Sequence, residues 1–150
     1  MEKSLVLIKP DAVQRVLTGT IISRLERRGL KIVALKMIQV DKTLAQRHYA
    51  VHKDKPFFND LVNFITASPI VAVVFEGKSA VEVVRQTMGK TNSAEAAPGT
   101  IRGDFGIDIQ QNLVHGSDSI ENAAKEIAIF FNPAEILTYS RDLDRWITGS

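Results

Sequence analysis

The residues best placed to do chemistry are Asn112-Leu113-Val114-His115-Gly116-Ser117-Asp118-Ser119, where a histidine and a glycine come just before a run of helical spacing. An imidazole held near a helix N-terminus faces a partial positive field. That field favours a neutral, nucleophilic ring nitrogen and an incoming phosphate beside it. Taken alone, a histidine before a helix is more often a surface or hydrogen-bonded residue than a catalyst, so its neighbours must decide. A Ser/His/Asp triad built from His115, Ser117 and Asp118 fails, because triad members converge from separated segments. Capping of the following helix explains Ser117 and Asp118 better.

Two other signals invite functional readings and lose to plainer ones. Ala72-Val73-Val74-Phe75-Glu76-Gly77-Lys78-Ser79 fits a relaxed P-loop pattern with Ala for the first Gly. A P-loop needs a flexible turn whose N–H groups wrap phosphates, and Val, Val, Phe and Glu instead suggest a buried strand end followed by a helix cap. His48 and His52 lie four apart, as two metal ligands on one helical face could, but no third ligand stands at a supporting spacing. Exposed histidines on a polar face are the favoured reading.

Composition narrows the field further. Of the residues, 45% are hydrophobic and 24% charged, and the chain of 150 suits one globular domain spanning 1–150. The net charge of +2 is spread over interspersed lysines, arginines and carboxylates, so nucleic acid is not expected as the main partner. The absence of cysteine excludes a disulfide framework, a thiolate metal site and a cysteine nucleophile. Met1 to Ile8 is too short and too acidic for a signal peptide, and no stretch reaches the length of a membrane span. A soluble, cytoplasmic protein is the expectation.

These residues need elements to hold them. Ser4 to Ile8 reads as a strand stopped by Pro10, and Gly19 to Arg28 as a helix stopped by Gly29. Leu30 to Val40 is apolar on both faces and is expected within the sheet. Asp54 and Pro56 resemble an N-cap and first turn for a helix through Phe57, Phe58, Leu61, Val62 and Ile65. Ile70 to Phe75 reads as a third strand. Ser79 and Glu82 have capping-box spacing ahead of a helix through Val81, Val84 and Met88. Gly89 to Gln111, with little periodicity, reads as a long ordered loop. Asp118 and Glu121 repeat the capping-box spacing before a stripe of Ile120, Ala123, Ala124, Ile127 and Phe131, which Asn132-Pro133 stops. Ile136 to Tyr139 reads as the last strand. Apart from a helical insert between the second and third strands, the order is βαββαβ, the split pattern of ferredoxin-like α/β (α+β) folds.

Asn112 to Ser119 resembles the active-site signature of nucleoside diphosphate kinases, and the likeness covers nearly the whole chain. Lys9-Pro10-Asp11, Gly29-Leu30-Lys31-Ile32, His48-Tyr49 ahead of Pro56-Phe57-Phe58, and Pro98 to Phe105 are similar in order and spacing. The resemblance implies a four-stranded antiparallel sheet covered by helices. It also implies ping-pong transfer of the γ-phosphate from a nucleoside triphosphate, typically ATP, to a nucleoside diphosphate through a phosphorylated His115. By matching motif positions, Lys9, Tyr49, Arg85, Thr91, Arg102 and Asn112 would contact phosphates or ribose, and Phe57 would stack on the base. Glu126 would orient the imidazole with Ser117 between them. Mg²⁺ would ride on the nucleotide phosphates rather than in a protein cage.

The chain departs from many relatives in one place: Thr91-Asn92 is followed by Ser93 rather than by proline. A serine there is expected to loosen the loop or weaken a subunit contact without altering chemistry. The family forms homo-oligomers, and the segment from Arg141 to Ser150 resembles the longer hexameric type more than the tetrameric one. Two other classes compete: a nucleotide- or nucleic-acid-binding module that has lost catalysis, and a regulatory ferredoxin-like domain. Retention of His115, Lys9 and Arg102 argues against the first, and the polar loop residues are unexplained by the second.

Overall fold

A computed structural model describes residues 1–149. Its four-stranded antiparallel sheet has the order β2-β3-β1-β4, built from β1 (Glu2–Ile8), β2 (Lys31–Ile38), β3 (Ile70–Gly77) and β4 (Val114–Gly116). The central strands β1 and β3 pair in a register that sets Leu5 opposite Val74 and Leu7 opposite Ala72. Alternation along β1 sends Val6 and Ile8 to one face of the sheet and Leu5 and Leu7 to the other, and all four are wholly buried.

Each face carries its own helical layer. On the first lie α1 (Pro10–Gln14), α2 (Thr18–Arg27) and α5 (Ala80–Met88), which contribute Ala12, Ile21, Leu25, Val84 and Met88 to the core. On the second lie α3 (Lys42–His48), α4 (Phe58–Ile65) and α7 (Ile120–Phe130), contributing Ala45, Val62, Ile65, Ile127 and Phe130. The inserted pair α3–α4, with α7 that follows β4, thus covers a face that the two helices within the βαββαβ frame, α2 and α5, leave bare. The long loop holds a 3₁₀ turn at Ser93–Glu95 and a short helix, α6 (Ile101–Phe105). A last short helix, α8 (Asp144–Ile147), follows it in the C-terminal segment, while the final Ser150 of the expected oligomer segment lies outside the described residues.

The βαββαβ reading holds, but its last strand is elsewhere. The fourth strand is Val114–Gly116, pairing with β1 so that His115 faces Leu7 across the ladder. Three residues including His and Gly carry no alternation to detect. Ile136 to Tyr139 instead runs beside β2, tied by a Leu137 N–H to Val33 carbonyl bond of 2.9 Å and by the Tyr139 hydroxyl to the Ile32 carbonyl. β2 is an edge strand, not an interior one. Its apolar outer residues Leu35 and Met37 are 50% and 61% exposed, a composition that fits a covered edge better than a wet one.

Helix starts differ from the spacing-based expectations for local reasons. Asp54 lies in a turn, and Phe57 is the N-cap of α4. Ser79 is the N-cap of α5 but has φ +53° and makes no side-chain cap bond. The Glu2 carboxylate, from the start of β1, accepts the Val81 N–H instead. The cap of α7 is Ser119, whose hydroxyl accepts the Asn122 N–H at 3.0 Å, while Asp118 accepts from the Asn122 side chain. Ile120 and Ala124 fall outside the buried stripe, which runs through Ala123, Ile127 and Phe130.

Candidate active site

The polar signals of the sequence converge on a cleft of about 680 Å³ beside β4, whose walls include Lys9, Tyr49, Phe57, Arg85, Thr91, Arg102, Asn112, His115 and Glu126. They arrive from separate elements: Lys9 from the end of β1, Tyr49 from the end of α3, Arg85 from α5, Arg102 from α6 and Glu126 from α7. Ser117 is fully buried and lies behind the wall rather than in it. The apparent P-loop is not part of the cleft. Residues 72–77 belong to β3, as its apolar run suggests.

Around His115 the structure corrects one expected geometry. The His115 ring nitrogen Nε2 lies 2.9 Å from Glu126 Oε1, and the Ser117 hydroxyl donates to that same oxygen at 2.9 Å. Ser117 is therefore not a link between the two. It braces the same carboxylate oxygen and also accepts the Leu5 N–H at 3.2 Å, which ties the arrangement to β1. Burial works against the Glu126 charge, but the His115 and Ser117 contacts outweigh it and hold the carboxyl below its usual range. With Nε2 so engaged, Nδ1 is the ring nitrogen outside this contact.

The backbone leading to His115 is fixed as firmly. Leu113 has φ +76°, costly for a residue with a bulky side chain, and its N–H donates to Asp11 Oδ2 at 3.0 Å while its carbonyl accepts the Lys9 N–H at 2.9 Å. These bonds pin the chain two residues before the imidazole. After it, Gly116 allows α5 to pack close: a Cβ there would sit 2.8 Å from the Met88 Cε.

Among the described residues, Lys9 and Arg102 have no carboxylate ion-paired to them. Arg102, 6% exposed, spends its guanidinium on three backbone carbonyls: Asn112 at 3.2 Å, Gly89 at 3.0 Å and Val114 at 2.6 Å. Burial, with Arg85 nearby, pulls its pKa down to about 10, so it stays charged at neutral pH. The Lys9 ammonium donates to Asn112 Oδ1 at 2.7 Å and to the Gln110 carbonyl at 3.0 Å. Asn112 in turn donates to the Thr91 carbonyl at 2.9 Å. Buried positive charge backed by carbonyls rather than carboxylates suits an anionic ligand such as a polyphosphate. Tyr49, raised to about 12 by burial and then by Glu126, keeps its hydroxyl proton for donation.

One expectation is overturned here, and one residue was missed. His48 is not an exposed histidine: it is 9% exposed and its ring stands edge-on to His115, centroids 4.8 Å apart. Among the described residues no group of three His, Asp or Glu side chains could hold a metal. Asp11, which anchors Leu113, stands in the Lys9-Pro10-Asp11 motif but had no role assigned to it, because the backbone donor it meets lies about a hundred residues away in sequence.

Among known proteins, the family model described as nucleoside diphosphate kinase matches residues 2–136. The chain belongs to the nucleoside diphosphate kinase family. A nucleoside diphosphate kinase of Thermomicrobium roseum is 54% identical over 149 residues, covering 99% of this chain and all of the relative. One from Gloeobacter violaceus is 56% identical over 147 residues, covering 98% and 99%. Among solved structures, a halophilic nucleoside diphosphate kinase from Halobacterium salinarum in complex with CDP superposes with a TM-score of 0.95 at 50% identity, covering 97% of each chain. A nucleoside diphosphate kinase family protein of Babesia bovis gives the same TM-score at 44% identity, covering 98% of this chain and 99% of that one. The nucleoside diphosphate kinases are phosphotransferases, and the ferredoxin-like sheet with its helical insert is the frame shared with these structures.

Proposed function

We propose that this chain moves the γ-phosphate of a nucleoside triphosphate, typically ATP, to a nucleoside diphosphate through a phosphohistidine on His115. The observation that carries the reading is the pairing of Nε2 with Glu126 at 2.9 Å, which presents Nδ1 to a cleft lined by Lys9, Arg85 and Arg102. In the first half-reaction Nδ1 attacks the γ-phosphorus, an N–P bond forms, and the bond to the β,γ-bridging oxygen breaks with release of the diphosphate. In the second, the terminal oxygen of another nucleoside diphosphate attacks the same phosphorus and returns His115 to its starting state. Glu126 stabilises the charge that builds on the ring as its nitrogen is phosphorylated.

The remaining residues position and neutralise, which is most of what phosphoryl transfer requires. Lys9, Arg85 and Arg102 take the phosphate charge. Tyr49, Thr91 and Asn112 donate hydrogen bonds to phosphate or ribose. Phe57, 44% exposed at the mouth of the cleft, stacks on the base, and a π-face without edge contacts tolerates every base. The donor set is cationic, and we assign Mg²⁺ to the nucleotide's own phosphates, where it would shield their charge, with Asp118 of the cleft wall the carboxylate that would serve its water shell. The open part of the β2 edge, with Leu35 and Met37 exposed, supports pairing with a second copy, within a homo-oligomer we take as a hexamer rather than a tetramer.

The test is incubation with γ-labelled ATP and Mg²⁺, then addition of unlabelled GDP, with His115→Ala in parallel. Label should enter the protein as an acid-labile, base-stable adduct, pass to GTP, and be absent from the variant. A wild-type protein that binds nucleotide but takes up no label would overturn the phosphohistidine reading.

A further inference from the structure

Phe57 stands in the wall of the cleft as the N-cap of α4, with 44% of its surface exposed. Its neighbour Phe58 packs against the second core, whereas Phe57 has a place in neither core. A phenyl ring left in water has several rotamers open to it, and a base that stacks on the ring must first confine it to one. The ring set against Phe57 is that of His52, with centroids 5.5 Å apart and planes inclined at 56°. Two turns bring the pair together. His52 ends the 3₁₀ turn Ala50–His52 and its carbonyl accepts the Lys55 N–H at 2.8 Å, while the Lys55 carbonyl accepts the Phe58 N–H at 3.1 Å. His52 lines the same cleft, and among the described residues its imidazole makes no hydrogen bond and no ion pair. What this half-buried ring does in the free protein is meet Phe57.

We propose that His52 is a positioning residue for the nucleobase: its imidazole braces the Phe57 ring, so that the stacking face is set before a nucleotide arrives. The inference rests on the reading of Phe57 as the ring that stacks on the base. Tilted contacts between aromatic rings at this separation are favourable beyond the area they bury, and each of these side chains has only two rotatable bonds to hold still. A platform ordered in advance spares the bound state that ordering, which strengthens binding without a new contact to the ligand. Because the brace acts on Phe57 and not on the edge of the base, it favours every base by the same factor. It leaves the phosphate end of the cleft, at Lys9 and Arg102, untouched.

The experiment measures dissociation constants for ADP, CDP and inorganic tripolyphosphate, which has no base, all with Mg²⁺. The proteins are wild type, His52→Ala, His52→Phe, Phe57→Ala and the double variant carrying both alanines. His52→Ala is expected to weaken ADP and CDP alike, by about twofold to tenfold, the range that ordering one side chain spans, and to leave tripolyphosphate binding unchanged. His52→Phe keeps a ring against Phe57 and should restore the wild-type affinity. The double variant should bind ADP no worse than Phe57→Ala alone, because a brace has nothing to act on once its ring is gone. His52 lies outside both cores, so the thermal midpoint of His52→Ala should move by no more than about 2 °C. Unchanged ADP affinity in His52→Ala, a loss confined to one base, an equal loss for tripolyphosphate, no recovery in His52→Phe, or losses that add in the double variant would each overturn the proposal. A Phe57→Ala protein that binds ADP as tightly as wild type would instead strike the stacking reading itself.

Discussion

Lys9 shows how a single residue couples the fold to the ligand. Burial, only partly offset by Asp11 and reinforced by Arg102, lowers its pKa to about 8. Its folded pKa lies below the unfolded value of 10.5, so between these pH values the unfolded chain holds more protons. Over that window this group makes the nucleotide-free protein more stable as pH rises. Binding works in the opposite sense, because phosphate needs the ammonium and raises its pKa. ADP affinity is therefore expected to fall above pH 8, approaching tenfold per pH unit, with proton uptake on binding. Lys9→Arg should flatten that limb, since guanidinium stays charged. Calorimetry in buffers of differing ionisation enthalpy measures both, and a wild-type affinity level from pH 7 to 9.5 would contradict the assignment. The site residues were legible because a histidine, a lysine and arginines in recognisable order announce phosphate chemistry. The His48 contact was not, since helical spacing shows which residues share a face but not what that face meets.

Among the elements, the long loop depends on its short turn. Asn92 caps the turn by accepting the Ala94 N–H at 3.1 Å, and the Glu95 and Ala96 N–H groups close it onto the Asn92 and Ser93 carbonyls. None of these bonds uses the Ser93 N–H, and the Ser93 hydroxyl is buried without a partner. Ser93 also packs onto Gly106, where an added Cβ would meet its Oγ at 2.5 Å, so the serine lies inside the chain rather than on an outward subunit face. The first position of such a turn tolerates proline. Ser93→Pro is expected to stabilise by about 0.4–1 kcal/mol through the unfolded state, raising the thermal midpoint by about 1–4 °C with turnover unchanged. Differential scanning calorimetry settles it, and a lowered midpoint would mean that the ring cannot fit against Gly106.

At the scale of the molecule, the unpaired edge is what remains unexplained by one chain. Leu35 and Met37 lie on the same side of β2, and their exposure beside a free ladder edge invites strand-to-strand pairing with another copy. Replacing both with Lys is expected to reduce the assembly mass and, where burial of these side chains is lost, to cost about 1.5–3 kcal/mol for each. Light scattering after size exclusion reads the outcome directly. An unchanged mass would place the contact elsewhere.

Apolar periodicity by itself determined the helices α2, α5 and α7 and the strands β1 and β3, since these elements bury one face or both and the pattern records it. Residue chemistry in sequence order determined the family and the anionic ligand. Only the tertiary structure decided that His115 stands on an edge strand of its own, because β4 is three residues long and exists through its pairing with β1. It alone decided that the Glu2 carboxylate rather than the Ser79 side chain accepts the Val81 N–H at the start of α5, that His115 and Ser117 meet on one Glu126 oxygen, and that His48 is buried against His115. Each of these is a contact between distant segments. Local propensity is blind to such contacts, because their partners are chosen by how the layers pack and not by the residues on either side.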